Sequence, residues 1–432
     1  MQQNTSSETK EWSLRQCIGG EGGQDVTEDD LITSVNFDHT GSHMAVGDNF
    51  GRVIVFARNE DDPDSKENST EKPKDAYRFV TELKAQNDDF DVLRSEKINP
   101  KIVDIQWIRS PGTSLNFLTA SEKNINWCKA SYKHKRTFRP CNSNTTDSGE
   151  LEIPSAQVED QPTWDHCIMR QYPKLHSHTI NSLSVNPNGI SFLSSDDLTI
   201  FMWNIDKGIK AYNLFEFKMI PGEDLSEVVT ASLFSPYKES SFLFTTNKGA
   251  RLCDLRQSSN TKNCMLKFEE KFTGKRNVFT EYLSYISGAC FVGDDKFVTR
   301  EPLQTKIWDV RITNKALEVL PLNEGIKTKL AEMFEKDLFM EKFNVSSSPC
   351  GKYLSTGFFN RSFHISSIDG SSNLEASLNN KKGIKAREIQ KSATTLPSDY
   401  VVENMALKLA WNPRHNEIVV PFESSIFIYS KA

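Results

Sequence analysis

An all-β fold, a β-propeller of seven blades, is what this sequence predicts, and three observations carry the prediction. A strand–turn–strand–polar turn–strand pattern recurs seven times along the 432 residues. Strands within it carry apolar groups on both faces, so each needs cover above and below. One unit cannot supply that cover alone, whereas a closed ring of units can, and closure also removes exposed sheet edges.

The clearest unit is Ile180–Asp206, INSLSVNPNGISFLSSDDLTIFMWNID. It reads as NSLSVN, ISFLSS and LTIFMWNI, broken at Pro187–Gly189 and at the acidic pair Asp196-Asp197. Leu198, Ile200 and Met202 share one face of its third strand; Thr199, Phe201, Trp203 and Ile205 share the other. In chain order the remaining units are Leu31–Arg58, Ile102–Ala130, Val228–Arg256, Ile286–Arg311, Glu341–Asp369 and Leu407–Lys431. Ile307-Trp308-Asp309 and the weaker Leu252-Cys253-Asp254 give them a likeness to WD repeats, which implies four-stranded antiparallel blades. Each fourth strand then comes from sequence between units, and Glu11–Gln16 supplies the outer strand that closes the last blade. The expected organisation is one propeller domain over residues 1–432. Two separate β-sandwiches fit less well, because the repeats span the chain without a linker.

Seven blades in 432 residues average about 62 each, against roughly 40–45 for a plain WD repeat, so the surplus lies in loops. Alternate turns of an up-and-down sheet fall on opposite faces of the disc. The longest bottom-side insertions are 59–75, 131–174 and 370–404. The first is charged and lacks aromatics, which predicts disorder. The second carries Leu151, Ile153, Val158 and Trp164 and reads as an ordered projecting arm, while the third holds the basic run NNKKGIKAREIQK. Top-side loops are Asn87–Pro100, Pro221–Glu227, Gly274–Tyr282 and Leu322–Phe339; the last has helical spacing of Ile326, Leu330, Met333 and Phe334. Acidic residues dominate that face beside Phe90, Leu225, Phe279 and Phe334, a surface suited to basic peptide or helix partners.

Composition agrees with a binding protein. A charged share of 25% and a hydrophobic share of 37% are those of a globular chain with polar loops, and the net charge of −6 argues against general nucleic-acid binding. MQQNTSSETKEW has neither the basic start nor the apolar core of an export signal, and no apolar run spans a bilayer. Eight scattered cysteines without a CxxC support neither a zinc site nor a disulfide framework; Cys128 and Cys253 fall at bulky strand positions and read as buried thiols. A cytoplasmic protein, also present in the nucleus, is expected.

Motifs for chemistry are missing. The chain has no GxxxxGK[ST], HExxH or GxSxG. The run from Gly19 to Gly23 does not link a strand to a helix, and His176 and His178 lack companion metal ligands. No catalytic residue, cofactor or metal is expected. In Asp196-Asp197 one carboxylate can close the turn through backbone hydrogen bonds. Other units place Asp48-Asn49, Ser121-Glu122 or Glu423-Ser424 in that turn, so folding does not demand an acidic pair.

The loop sequences are more specific than the repeats. DVTEDDLITSVNFDHTG, GDNFGRVIVF, DFDVLRSEKI, HTINSLSV, SDDLTIFMWNI, LSEVVTASLFSP, KGARLCDLR and TREPLQTKIWDV, in that order, closely resemble the B-type, fifty-five-kilodalton regulatory subunit family of protein phosphatase type 2A. The likeness runs from about Trp12 to the last blade and omits the three bottom insertions. It implies a noncatalytic subunit that joins a helical-repeat scaffold subunit and a catalytic subunit and selects phosphoprotein substrates. The alternative is a WD-repeat scaffold without phosphatase assembly.

The resemblance also assigns residues. Substrate-facing positions are Asp197, Glu223, Leu225, Phe279, Phe334, Glu335 and Asp337, with Asp197 and Glu223 meeting basic side chains and Leu225 and Phe279 an apolar anchor. Leu151, Ile153 and Trp164 lie in the scaffold-gripping arm, and Phe90 and Asp91 face the other subunits. Departures stand at Asn49-Phe50, His178-Thr179 and Val278, so substrate choice is expected to differ from that of relatives.

Overall fold

The computed structural model describes residues 12–19, 27–59, 76–86, 89–91, 95–110, 112–133, 136–138, 156–158, 163–207, 210–217, 227–257, 266–270, 279–378, 387–388 and 400–431. The predicted architecture is the one observed: seven antiparallel sheets arranged as a β-propeller.

Each blade runs from an inner strand outward. Blade one is Ile32–Phe37, His43–Asp48, Arg52–Arg58 and Tyr77–Lys84; blade two is Asp104–Trp107, Leu115–Ala120, Ile125–Lys133 and Thr163–Gln171. Blade three is Ser182–Val185, Ser191–Ser195, Thr199–Asn204 and Ala211–Glu216. Blade four is Val229–Phe234, Ser241–Thr246, Ala250–Asp254 and Leu266–Phe268, and blade five is Gly288–Phe291, Lys296–Glu301, Gln304–Asp309 and Glu318–Pro321. Blade six starts with Val345–Ser347, Tyr353–Phe358, Ser362–Ser367 and Asn373–Ser377, and adds a two-residue fifth strand, Arg387–Glu388. Blade seven is Ala410–Trp411, Glu417–Phe422 and Ser425–Lys431, completed by Trp12–Ile18 from the other end of the sequence.

The inner strands touch in ring order, the seventh against both the sixth and the first. Polar side chains stitch these seams. Asn36 donates to the Ile105 carbonyl at 2.8 Å, Asp104 accepts from the Leu183 amide at 2.8 Å, and Asn344 donates to the Leu409 carbonyl at 3.1 Å. Such bonds satisfy inner-strand groups that no further sheet strand can reach.

Apolar faces meet between blades. Leu193, Ile200 and Phe215 of blade three pack against Val229, Phe234, Phe242 and Phe244 of blade four. Each phenylalanine so buried contributes about 2–3 kcal/mol. In the unit read first from the sequence, Ile200 and Trp203 are fully buried on opposite faces, so the doubly apolar strand is blade interior. Cys128 and Cys253 are both buried, as expected. At the seam between blades six and seven, Gly357 leaves no room for a side chain: a Cβ there would lie 1.6 Å from the Ala406 carbonyl oxygen.

Two expected insertions contain outer strands. Thr163–Gln171 pairs along Asn126–Lys133 with one register shift, and Trp164 sits opposite Tyr132. Farther along the same hairpin, Arg136–Phe138 pairs with Ala156–Val158, so blade two extends an antiparallel arm beyond its sheet. Residues 163–171 therefore belong to the blade, and the insertion proper is shorter than 131–174. Asn373–Ser377 likewise is the fourth strand of blade six, inside the span read as 370–404. Periodicity missed both strands because outer strands are half exposed and carry a weak apolar pattern. Of the 59–75 insertion, residues 60–75 lie outside the described residues.

Candidate functional site

The turn Asp196-Asp197 joins the second and third strands of blade three and splits its carboxylates between two tasks. Trp203 Nε1 donates to Ser194 Oγ at 2.8 Å, Ser194 Oγ lies 2.6 Å from His176 Nε2, and His176 Nδ1 lies 3.0 Å from Asp196 Oδ2. Asp196 Oδ1 also accepts from the Leu198 and Thr199 amides at 2.9 and 2.6 Å. Burial opposes its charge, but the hydrogen bonds from His176 and the two amides win and hold the carboxyl well below the usual carboxylate range. Asp196 is architecture, and so is His176; His178 is exposed.

Asp197 is half exposed. Its Oδ1 accepts from Asn181 Nδ2 at 2.8 Å, and its carbonyl accepts from the Val229 amide at 2.8 Å. Asn181 also donates to the Val229 carbonyl at 2.9 Å and accepts from the Lys342 ammonium. The chain Lys342–Asn181–Asp197 thus fixes the carboxylate at the axial end of blades three and four.

Beside it opens a recess of about 650 Å³, whose lining includes Lys101, Asn181, Asp337, Glu341, Lys342 and Lys408. Burial pulls the Lys342 pKa down; Asp197 opposes that, and Lys408 and Lys101 add to it. Tyr285 is pushed up to about 12, chiefly by burial, with the carboxylates of Asp197 and Glu341 adding to it. The face is therefore not uniformly acidic: Lys101, Lys342 and Lys408 line the recess together with Asp337 and Glu341. Sequence reading missed Asn181 and Lys342, although Asn181 stands in the INS stretch that opens the unit.

The loop between blades five and six forms a platform. Asn323 caps the turn Glu324–Lys329 by accepting from the Gly325 amide at 3.0 Å, and a short helix, Leu330–Glu335, follows. Ile326 and Met333 are fully buried beneath it. Phe334 is 45% exposed, with ring centroids of Phe279 and Tyr282 at 6.0 and 5.4 Å. Phe279 is half-buried among Phe334, Phe339 and Tyr282, so more of the exposed aromatic surface belongs to Phe334. Glu335 is exposed, and Asp337 turns the chain with φ 53° and points this segment at the recess.

The structure thus gathers Asp197 and Asp337 about the recess and places Phe279, Phe334 and Glu335 on the adjoining platform. Glu223, Leu225, Leu151 and Ile153 lie outside the described residues. Phe90, 60% exposed, and Asp91 occupy a small separate hairpin, Asp89–Asp91 with Glu96–Ile98. Trp164 packs against Tyr132 in a tilted arrangement, ring centroids 5.3 Å apart, near the base of the blade-two arm. Among the described residues, no group of three His, Cys, Asp or Glu side chains is placed to hold a metal.

No family model matches the chain. A Candida tropicalis protein, named as a B-type regulatory subunit of protein phosphatase PP2A, is 32% identical over 361 residues, covering 81% of this chain and 70% of that protein. This chain belongs to the family of PP2A B-type regulatory subunits. A Schizosaccharomyces pombe member with the same name is 28% identical over 98% of each chain. The Dictyostelium discoideum serine/threonine-protein phosphatase 2A regulatory subunit phr2AB is 27% identical over 98% of this chain and 99% of its own. Members of this family are regulatory and noncatalytic, and this chain is not an enzyme.

Proposed function

We propose that this chain is the substrate-recruiting subunit of a protein phosphatase 2A heterotrimer. It joins a helical-repeat scaffold subunit and a catalytic subunit, and it holds phosphoproteins by its upper face. The observation that carries the reading is the split between Asp196, spent on the fold, and Asp197, aimed and half exposed. Basic side chains of a substrate segment pair with Asp197, Glu335 and Asp337, while its apolar residues rest on Phe334 and Phe279. Glu223 and Leu225 extend that surface, Glu223 toward basic groups and Leu225 toward the apolar anchor. Lys101, Lys342 and Lys408, which also line the recess, disfavour basic groups placed beside them, so the mixed charge gives the surface direction as well as attraction.

Opposite this face, the blade-two arm with Leu151, Ile153 and Trp164 grips the scaffold, and the Phe90–Asp91 hairpin faces the other subunits. The complex works in the cytoplasm and also in the nucleus. Affinity purification of the full-length protein tests the assembly: a helical-repeat scaffold and a phosphatase catalytic subunit are expected together. Recovery of neither would overturn the reading.

A further inference from the structure

Among the described residues three arginines are buried: Arg58, Arg251 and Arg300. Two have a carboxylate partner, Arg58 with Glu417 at 3.1 Å and Arg251 with Glu227 at 2.6 Å. Arg300, from the second strand of blade five, has none among the described residues. It is fully buried in the seam with blade six. Its Nε donates to Thr356 Oγ1 at 2.9 Å and its Nη2 to the Gly357 carbonyl at 3.4 Å, while Nη1 meets no acceptor among the described residues. The rings of Phe343 and Phe358 lie 5.0 and 5.8 Å from the guanidinium carbon. The neighbouring carboxylate, Glu301, is engaged by Lys306 and Gln304, each at 2.7 Å.

An arginine does not neutralise itself by losing its proton at neutral pH, and a buried charge without a counter-charge is strongly unfavourable. Burial brings the Arg300 pKa down to about 9, which still leaves it charged.

His364 brings a second donor to the same place. It lies directly opposite Thr356 in the ladder between Tyr353–Phe358 and Ser362–Ser367, so both side chains leave the sheet on the face that receives Arg300. The ring is fully buried, stands edge-on to Phe358 at 4.6 Å, and has no partner at either nitrogen among the described residues. Burial and the nearby Arg300 charge push its pKa down to about 3, so the ring is neutral and offers one N–H.

We propose that Arg300 and His364 form a binding site for a small monovalent anion of chloride size, set in the seam between blades five and six. Arg300 Nη1 and the His364 N–H donate to it, and it supplies the negative charge that Glu417 and Glu227 supply to the other two arginines. The fully buried setting selects a small ion over a phosphate or a peptide carboxylate. Phe343 and Phe358 also belong to the apolar cluster of Ile326, Met333 and Phe339 under the platform, so the ion supports the surface that carries Phe334. The inference does not depend on which partners the propeller binds.

Crystals of the full-length protein soaked in sodium bromide provide the direct test. An anomalous bromide peak is expected within hydrogen-bond distance of Arg300 Nη1 and His364, and an occupied solvent peak without anomalous signal there overturns the proposal. Thermal unfolding of the wild-type protein gives a second readout. At constant ionic strength, replacing gluconate by chloride is expected to raise the midpoint saturably, with the Arg300→Met protein showing no such rise. Equal wild-type midpoints in the two salts also overturn it.

Discussion

Arg15, near the start of the sequence, lies 2.6 Å from Glu417, in the last blade. Glu417 is 2% exposed and also accepts from Arg58 at 3.1 Å and from the Tyr77 hydroxyl at 2.8 Å. One carboxylate therefore ties the closing strand Trp12–Ile18, blade seven and blade one together. Glu417→Gln removes the buried carboxylate charge that Arg58 and Arg15 share and is expected to lower unfolding free energy by about 3–5 kcal/mol. Arg15→Ala removes a partly exposed partner and is expected to cost only about 1 kcal/mol. Urea titrations of the two variants give the comparison; equal losses would show that Arg58 does not depend on Glu417.

How much of this was legible beforehand follows from which forces pattern a sequence. The blades were legible because strands buried on both faces must repeat apolar residues at short range, as Leu198–Ile205 do. The clasp at Glu417 was not, since its partners Arg15, Arg58 and Tyr77 are hundreds of positions away and nothing local marks them. At the candidate site the acidic pair could be seen, but not which carboxylate faces solvent. That was decided by His176, twenty residues upstream, through a contact that only the folded blade makes. Lys342 escaped for the same reason: it reaches Asn181 from three blades away.

Asp196 makes stability depend on pH in a direction that can be worked out. Its folded pKa is depressed below the unfolded value, near 4, so its contribution is fully present above that value and is lost as pH falls through the folded pKa. Asp196→Asn is expected to cost about 2–4 kcal/mol at pH 7, and the gap from wild type is expected to narrow as pH drops below about 4. Unfolding midpoints across this range check it; a gap independent of pH would mean the loss comes from packing alone.

Charge reversal at the neighbouring position has a different outcome. Asp197 is half exposed and, among the described residues, its side chain hydrogen-bonds only to Asn181, so Asp197→Lys is expected to change stability by no more than about 1 kcal/mol. Capture of basic substrate segments is expected to fall at least tenfold, with recovery of the other phosphatase subunits unchanged. Asn181→Ala, which releases the carboxylate from its fixed orientation, is expected to give a smaller loss of capture. Quantitative pull-downs report both quantities at once. Loss of folding or of assembly in Asp197→Lys would assign this carboxylate to structure.

If the proposed function holds, the two platform aromatics divide recognition from support. Phe334 is the exposed ring, braced by Phe279 and Tyr282, whereas Phe279 is half-buried in the cluster beneath. Phe334→Ala removes a surface anchor and is expected to cost under about 1 kcal/mol of stability while weakening substrate capture severalfold. Phe279→Ala takes away the brace and leaves a partial cavity, so it is expected to cost about 2–3 kcal/mol and to weaken capture as well, through misplacement of Phe334. Capture and thermal unfolding measured on both variants decide the matter. If Phe334→Ala lost as much stability as Phe279→Ala, the exposed ring would belong to the core and not to the recognition surface.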